Sequence, residues 1–347
     1  MKKNMTMGLV LICCLLFIFS FGCGSNQNST TGEENTADTS NDAKTLKVAM
    51  LMSGPISDGG YNASAYQGLM DSKKELGIEV AYSESVPLAE YEAAFRDYAM
   101  QGYDIVIGHG FEFQDGALKV AKEFPDVKFL VVSGNQGQEP NMASINLKTE
   151  ETGYLMGALA GMMTKSNKIG AVGGAPVPPI VAPIEAFKQG ARLVNPEVEI
   201  LDSYIGSWDD VDKAKETAIA MINKGADIVM PIASMAGVGV IKGAQEKGAY
   251  ALGYSADQND IAPGTVLSSG ILSIPDAIRL TLKDIKDGKF KAGVINYGLK
   301  DGVLKIAPYH EAEKLVPKDV QDKMEQIEQD IINGAIQVEF IDQQTSN

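Results

Sequence analysis

The chain has 347 residues, 45% of them apolar, and a formal net charge of −15. That acidic balance, with no basic cluster, excludes a surface built to hold phosphate backbones, so no nucleic-acid partner is expected. Three cysteines, two of them inside an N-terminal apolar run, exclude a disulfide framework, and the remaining length is ample for two domains held by their own cores.

At the N-terminus, Lys2 and Lys3 precede an apolar stretch from Met7 to Phe21. A short basic start, about 15 apolar residues and a small residue describe an export signal. The stretch is shorter than the ~20 residues a membrane-spanning helix needs. Gly22-Cys23 resembles the lipobox of bacterial lipoproteins, in which the thiol is acylated and becomes the first residue. Ser20 and Phe21 depart from that pattern, standing where small aliphatic residues are usual. Residues 1–22 are therefore read as a lipoprotein signal and Cys23 as the lipidation site, which ties the protein to a membrane on its extracytoplasmic side. Losing Lys2 and Lys3 moves the net charge from −15 to −17. Residues 23–45 are mostly Asn, Ser, Thr, Gly, Glu and Asp. They cannot bury enough surface to offset their ordering entropy, and read as a disordered acidic tether.

From Leu46 short apolar strands alternate with longer amphipathic helices. A strand over 47–52 runs into Ser57-Asp58-Gly59-Gly60-Tyr61-Asn62 and a helix over 63–74. A helix over 90–99 leads to a strand at 105–107 and then Gly108-His109-Gly110-Phe111-Glu112-Phe113. A strand over 128–132, a helix over 152–163 and a strand over 168–172 follow. The glycine-rich stretch 170–174, ahead of Pro176, Pro178 and Pro179, reads as a structural turn. A strand over 199–204 opens into Gly206-Ser207-Trp208-Asp209-Asp210 and a helix over 212–223. Next come a strand over 227–231 with Ser234 just beyond it, a helix over 239–245, and a strand over 249–254 with Asp257 just after it. Several strands lack polar alternation, as expected where helices cover both faces of a parallel sheet. The alternation predicts a doubly wound α/β fold.

One stretch is echoed. Tyr98-Ala99-Met100-Gln101-Gly102-Tyr103-Asp104-Ile105-Val106 is answered by Ala220-Met221-Ile222-Asn223-Lys224-Gly225-Ala226-Asp227-Ile228-Val229. Both read as helix end, glycine stop, aspartate, buried strand, which suggests two similar lobes. Such lobes place the carboxyl ends of their strands around a shared cleft, where open α/β sheets bind ligands.

Enzyme signatures are missing. The two histidines, His109 and His310, lie far apart, and no nucleophile elbow, His-Glu-x-x-His, Cys-x-x-Cys or phosphate loop occurs. No catalytic residue, metal ligand or cofactor is assigned, and His109 reads as a loop residue at a strand end. What stands out is aromatics just after strands: Tyr61, Phe111, Phe113 and Trp208, the sole tryptophan. In a two-lobed fold these face the cleft, with Tyr61 and Trp208 on opposite lobes. Two flat side chains there would clamp a planar ligand such as a nucleobase. Asn62 and Asp257 could read its edge by hydrogen bonds. The same aromatics would also serve simply to cap the sheet ends, and Asp58 and Asp210 fit helix N-caps as well as ligand contacts. The candidate ligand-binding set is Tyr61, Asn62, Phe111, Trp208, Ser234 and Asp257.

At these junctions the chain resembles the basic membrane protein family of solute-binding lipoproteins. Ser57-Asp58-Gly59-Gly60-Tyr61-Asn62 resembles the family's opening motif, and Gly108-His109-Gly110-Phe111 is similar to its second junction. The nearest likeness is Gly206-Ser207-Trp208-Asp209-Asp210 followed by Lys213-Ala214-Lys215-Glu216. The resemblance runs over 46–340 and implies a two-lobed, type I periplasmic-binding-protein fold. It assigns 46–147 plus 272–293 to an N-terminal lobe and 148–271 plus 294–340 to a C-terminal lobe. It further implies a monomer that delivers a small purine-like ligand to an ABC transporter permease, since known members bind purine nucleosides or bases. By position Tyr61 and Trp208 match the family's stacking aromatics and Asp257 a polar contact. Nucleoside binders carry an Asp after the strand at 129–132 and a Lys in the returning strand, where this chain has Ser133 and Leu272. That departure, with Pro176-Val177-Pro178-Pro179 and Lys305-Ile306-Ala307-Pro308, looks like the branch that binds free bases such as adenine. A ligand-sensing role beside a membrane receptor and a sugar ligand are the alternatives.

Overall fold

A computed structural model describes residues 45–58 and 60–343. The export signal, Cys23 and all but the last tether residue lie outside the described residues. Burial on both faces of its strands sets the architecture. In β1 (Lys47–Met52), Val48, Met50 and Met52 point into one core and Ala49 and Leu51 into another. A strand so enclosed has no reason to alternate polar with apolar, which is why the runs read as continuous.

The chain continues through α1 (Tyr61–Leu76), β2 (Glu79–Ser83), α2 (Tyr91–Met100), β3 (Ile105–His109), α3 (Gln114–Ala121), β4 (Lys128–Val132) and β5 (Met142–Leu147). It then crosses to α4 (Thr149–Met163), β6 (Lys168–Gly173), α5 (Pro178–Val194), β7 (Glu199–Tyr204), α6 (Val211–Asn223), β8 (Ile228–Ile232), α7 (Gly237–Lys247), β9 (Tyr250–Ser255) and β10 (Val266–Leu272). A second crossing gives α8 (Ile274–Lys286) and β11 (Gly293–Tyr297), and a third gives β12 (Leu304–Ile306) and α9 (Lys318–Ile332). The strand orders are β11-β5-β4-β3-β1-β2 and β12-β10-β9-β8-β6-β7. Each sheet is parallel save for β12, which runs antiparallel to β10. The two orders are the same walk performed twice, so the echo in the sequence is a structural repeat. Gly102 and Gly225 both take positive φ between helix and strand. The amides of Asp104 and Asp227 then bond the carbonyls of Lys47 and Lys168, the first residues of β1 and β6.

Three details depart from the sequence reading. Gly293–Tyr297 pairs with β5 along its whole length, so the third crossing follows Tyr297 and residues 294–297 stay with the first sheet. As a half-exposed edge strand, β11 lacks the apolar run that marks the inner strands. Leu272, assigned to the first lobe, ends β10 of the second sheet. The glycine-rich stretch is also strand rather than turn: Gly170 to Gly173 lie inside β6, and Pro178 and Pro179 open α5, positions where a missing N–H costs nothing. The three crossings are tied to one another, Lys148 N–H to the Tyr297 carbonyl (2.8 Å) and Ser273 N–H to the Val303 carbonyl (2.7 Å). Glu151 adds an Oε2 that accepts from Leu299 N (2.8 Å).

Candidate functional site

The loops after β1, β3 and β4 in one sheet, and after β6, β7, β8 and β9 in the other, carry the candidate residues. Three of the six described non-glycine residues with positive φ lie there. Ser133, Ser234 and Ser255 stand just past, or at, the ends of β4, β8 and β9 with φ of 64°, 50° and 75°. Left-handed backbone costs an L-residue about 1–2 kcal/mol, and such strain persists where the surroundings enforce it, often at ligand sites. A serine gives no sequence warning of this, as a glycine would.

On the first lobe, Asp58 organises the start of α1. Its carboxylate accepts from Gly60 N, Asn62 N, Ala63 N and Asn62 Nδ2, each at 2.9 Å. Burial alone would raise this carboxyl, but the hydrogen bonds outweigh it and hold Asp58 below the ordinary carboxylate range. Asp58 is thus committed as a cap. Asn62 has given its amide to Asp58, while its Oδ1 is buried with no partner. Tyr61 is the first residue of α1. Its hydroxyl lies 2.8 Å from Ser133 Oγ, and its ring stacks on the His109 imidazole at 3.9 Å and 25°. His109 ends β3, fully buried, with Nε2 3.0 Å from the Tyr61 carbonyl oxygen. A carbonyl only accepts, so Nε2 donates and Nδ1 is the bare nitrogen, which has no partner. Burial pushes the imidazole down to about 4, against the pull of the Tyr61 carbonyl and Asp58. Phe111 is half-exposed at the start of a short 3-10 turn. Phe113 is elsewhere: fully buried and stacked on Tyr91 at 3.7 Å, it is core and not cleft, because the turn from Phe111 to Phe113 rolls it beneath the sheet end.

On the second lobe, Trp208 is 43% exposed. Its indole lies so close to Gly174 that a Cβ there would sit 2.3 Å from Cζ3. Its carbonyl accepts from Ala236 N (2.9 Å), which joins the β7 loop to the short 3-10 turn beginning at exposed Ser234. Asp210 accepts from Lys213 N (2.9 Å) and caps α6. Asp257 is already engaged: Oδ2 lies 2.7 Å from His310 Nε2, and Oδ1 accepts from Asn259 N. The hydrogen bond to Asp257 raises the His310 imidazole.

The structure thus gathers Tyr61, Asn62, His109 and Ser133 on one side, and Trp208 with the Ser234 turn on the other. Among the described residues no hydrogen bond or ring stack joins Tyr61 to Trp208. Asp257 pairs with His310 instead of with either group. Sequence reasoning missed Tyr204, the last residue of β7. Its ring lies over Gly173, and its hydroxyl is buried without a partner, beside the Lys188–Glu185 (3.0 Å) and Lys188–Asp202 (3.1 Å) ion pairs. Its nearness in sequence to Gly206-Ser207-Trp208 was the available signal. Among the described residues no cluster of three or more His, Cys, Asp or Glu side chains could hold a metal ion. Two cavities of about 250 Å³ lie away from these aromatics, one lined by Tyr309, Met324 and Glu328, the other by Glu150, Ile331 and Ile336. The chemistry on offer at the strand ends is reversible stacking and hydrogen bonding.

Residues 45–342 match the Bmp family, described as ABC transporter substrate-binding protein PnrA-like. The chain is 30% identical over 317 residues to the transcriptional activator protein Med of Bacillus subtilis, covering 91% of this chain and 93% of the relative. It is 31% identical over 294 residues to a purine-binding protein of Brucella abortus, covering 84% and 82%. Among solved structures it resembles an ABC transporter solute-binding protein from Aeropyrum pernix, with a TM-score of 0.76 and 24% identity over 85% of this chain and 94% of that one. The two-lobed α/β architecture is therefore that of type I-like solute-binding proteins.

Proposed function

The chain belongs to the Bmp family of PnrA-like ABC transporter substrate-binding proteins, extracytoplasmic binding proteins rather than enzymes, and from that premise we propose that it captures a purine between Tyr61 and Trp208. The free base, adenine foremost, is favoured over the nucleoside, and the loaded protein presents it to an ABC permease while anchored through acylated Cys23. One observation carries the purine reading: two aromatics at strand ends, one per lobe, of which Trp208 keeps 43% of its surface exposed. An aromatic that stays 43% exposed is open to a ligand where a buried one is not. The Brucella relative named as purine-binding adds support. The preference for the base rests on Ser133, whose hydroxyl already meets Tyr61, and on apolar Leu272. Neither position offers a charge to ribose hydroxyls.

Trp208 is the only tryptophan, so its fluorescence reports on the site directly. Titration with adenine, guanine, hypoxanthine and their nucleosides should quench or shift the emission, with bases binding more tightly than nucleosides. No response to any of them refutes the purine assignment. Mass spectrometry of the membrane-extracted protein should show an acylated N-terminal Cys23, and Cys23→Ser should release the protein from the membrane. An unmodified Cys23 would remove the anchor and leave the binding reading intact.

A further inference from the structure

Tyr61 is held from two neighbouring strands. His109, at the end of β3, covers one face of its ring and bonds its carbonyl; Ser133, one residue past β4, meets its hydroxyl at 2.8 Å. Both neighbours are expensive choices. An imidazole buried completely with a bare Nδ1 gives up water at a nitrogen that gains no partner. A phenylalanine would fill the same space with no polar atom to strand. Ser133 adopts φ 64° without being glycine or asparagine. Two unfavourable features that converge on one ring call for a common cause, and strand pairing supplies none: His109 pairs with Val132, and Ser133 N bonds the Ile145 carbonyl, through backbone atoms that any side chain would leave in place.

We propose that His109 and Ser133 are positioning residues of the ligand site, which together make Tyr61 a preset platform with one face closed by imidazole and the other offered to the ligand. This rests on the reading of Tyr61 as a wall of the site. The imidazole closes the rear face with a flat ring, so the tyrosine cannot tilt into the space behind it. The Tyr61 carbonyl bond fixes the imidazole in turn, and the serine fixes the phenol end, so neither axis of the tyrosine ring is free. Rotamer ordering that a loose tyrosine would undergo on binding is completed during folding, which leaves more of the stacking as affinity.

Adenine titration, read through Trp208, tests this with His109→Ala, His109→Phe, Ser133→Ala, Tyr61→Phe and the Tyr61→Phe/Ser133→Ala pair. His109→Ala should weaken binding about tenfold, and His109→Phe, which restores the flat backing, should return it to within about threefold of wild type. Ser133→Ala and Tyr61→Phe should each cost about three- to fivefold, and the pair no more than either alone, because both remove one bond. Undiminished binding by His109→Ala, or losses that multiply in the pair, overturns the proposal. A second arm needs no ligand. In protein labelled with 3-fluorotyrosine, the Tyr61 resonance, identified by its loss in Tyr61→Phe, should show slow ring flipping in wild type and averaging in His109→Ala. Restrained wild type and freed variant, with every purine ignored, would refute the purine reading and uphold the platform. Equal mobility in both would refute the platform whatever the protein binds. Should His109→Ala not fold, slow flipping in His109→Phe and faster flipping in Ser133→Ala carry the same decision.

Discussion

The two proposed walls of the site differ in what holds them. Tyr61 is backed by a buried imidazole, pinned at its hydroxyl by Ser133 and rooted in a helix start that Asp58 ties with four hydrogen bonds. Trp208 stands 43% exposed in a loop, with its indole against Gly174 and one backbone bond to Ala236. On the proposed reading, the clamp has one rigid jaw. In that reading the first lobe invests stability in presetting a surface, and the second leaves an apolar ring 43% exposed for the ligand to cover.

The sharpest way to break that comparison is to truncate each jaw. Trp208→Ala and Tyr61→Ala should each weaken adenine binding by about 3–4 kcal/mol, the range of central aromatic anchors. They should part on stability. Tyr61→Ala strands Ser133 and empties space over His109, so thermal unfolding should fall by several degrees. Trp208→Ala should leave the midpoint within about a degree, since an exposed side chain contributes little. Equal thermal losses would show that the second jaw is as built-in as the first.

Acid should act on the first jaw selectively. His109 falls to about 4 through burial, below the ordinary 6.5. Between those values the unfolded chain takes a proton that the folded one refuses, so stability is present above pH 6.5 and declines as pH drops toward 4. The sum is about 3 kcal/mol for a shift of this size. His109→Phe should remove that slope. Glu150, buried at the first crossing, has the opposite sign: burial lifts it to about 7, with Glu151 adding to the rise and its own backbone bond and Lys148 opposing it. Its folded form holds a proton that the unfolded chain has lost above pH 4.5, so stability declines as pH rises from 4.5 toward 7. Glu150→Gln should therefore stabilise at pH 8 and do little at pH 4.5. Chemical denaturation at the two pH values separates the variants, and a His109→Phe protein that kept its acid slope would clear the imidazole of blame.

Much of the fold was legible. The strand bounds at 47–52 and 128–132 coincide with β1 and β4, because a buried apolar run ended by Ser leaves little choice, and 199–204 coincides with edge strand β7. The helix–glycine–aspartate–strand echo marked the repeat for the same reason. Edge strands β2 and β11 gave no such signal, since half of each faces water. At the proposed site, Tyr61 and Trp208 announced themselves as aromatics in glycine-rich turns. What supports them did not. The His109 ring meets a tyrosine 48 positions away and Ser133 meets it from 72, and no local pattern encodes such pairings. Phe111 and Phe113 looked alike in sequence, yet a single turn of 3-10 helix sends one toward solvent and the other into the core.

Gly174→Ala is a gentler cut at the second jaw. The new methyl would sit 2.3 Å from Trp208 Cζ3, closer than any real contact, so the indole must move. Because the ring is exposed it can swing outward without disturbing the core. Binding should weaken about tenfold, some 1.4 kcal/mol, with the unfolding midpoint unchanged.

The smallest effect belongs to Asp210, two residues past Trp208. It accepts one hydrogen bond, from Lys213 N, at the start of α6, where Asp58 accepts four. Asp210→Ala should cost about 0.5–1 kcal/mol, the usual loss for an N-cap, seen as a fall of a few degrees or less in a chain of this size. Adenine binding should hardly change, because Trp208 rests on Gly174 and on the Ala236 amide, neither of which involves the cap. If Asp210→Ala weakened binding as much as Gly174→Ala, the indole would be held by the order of its own loop. The second jaw would then be preset like the first, and the contrast between a fixed wall and a waiting one would disappear.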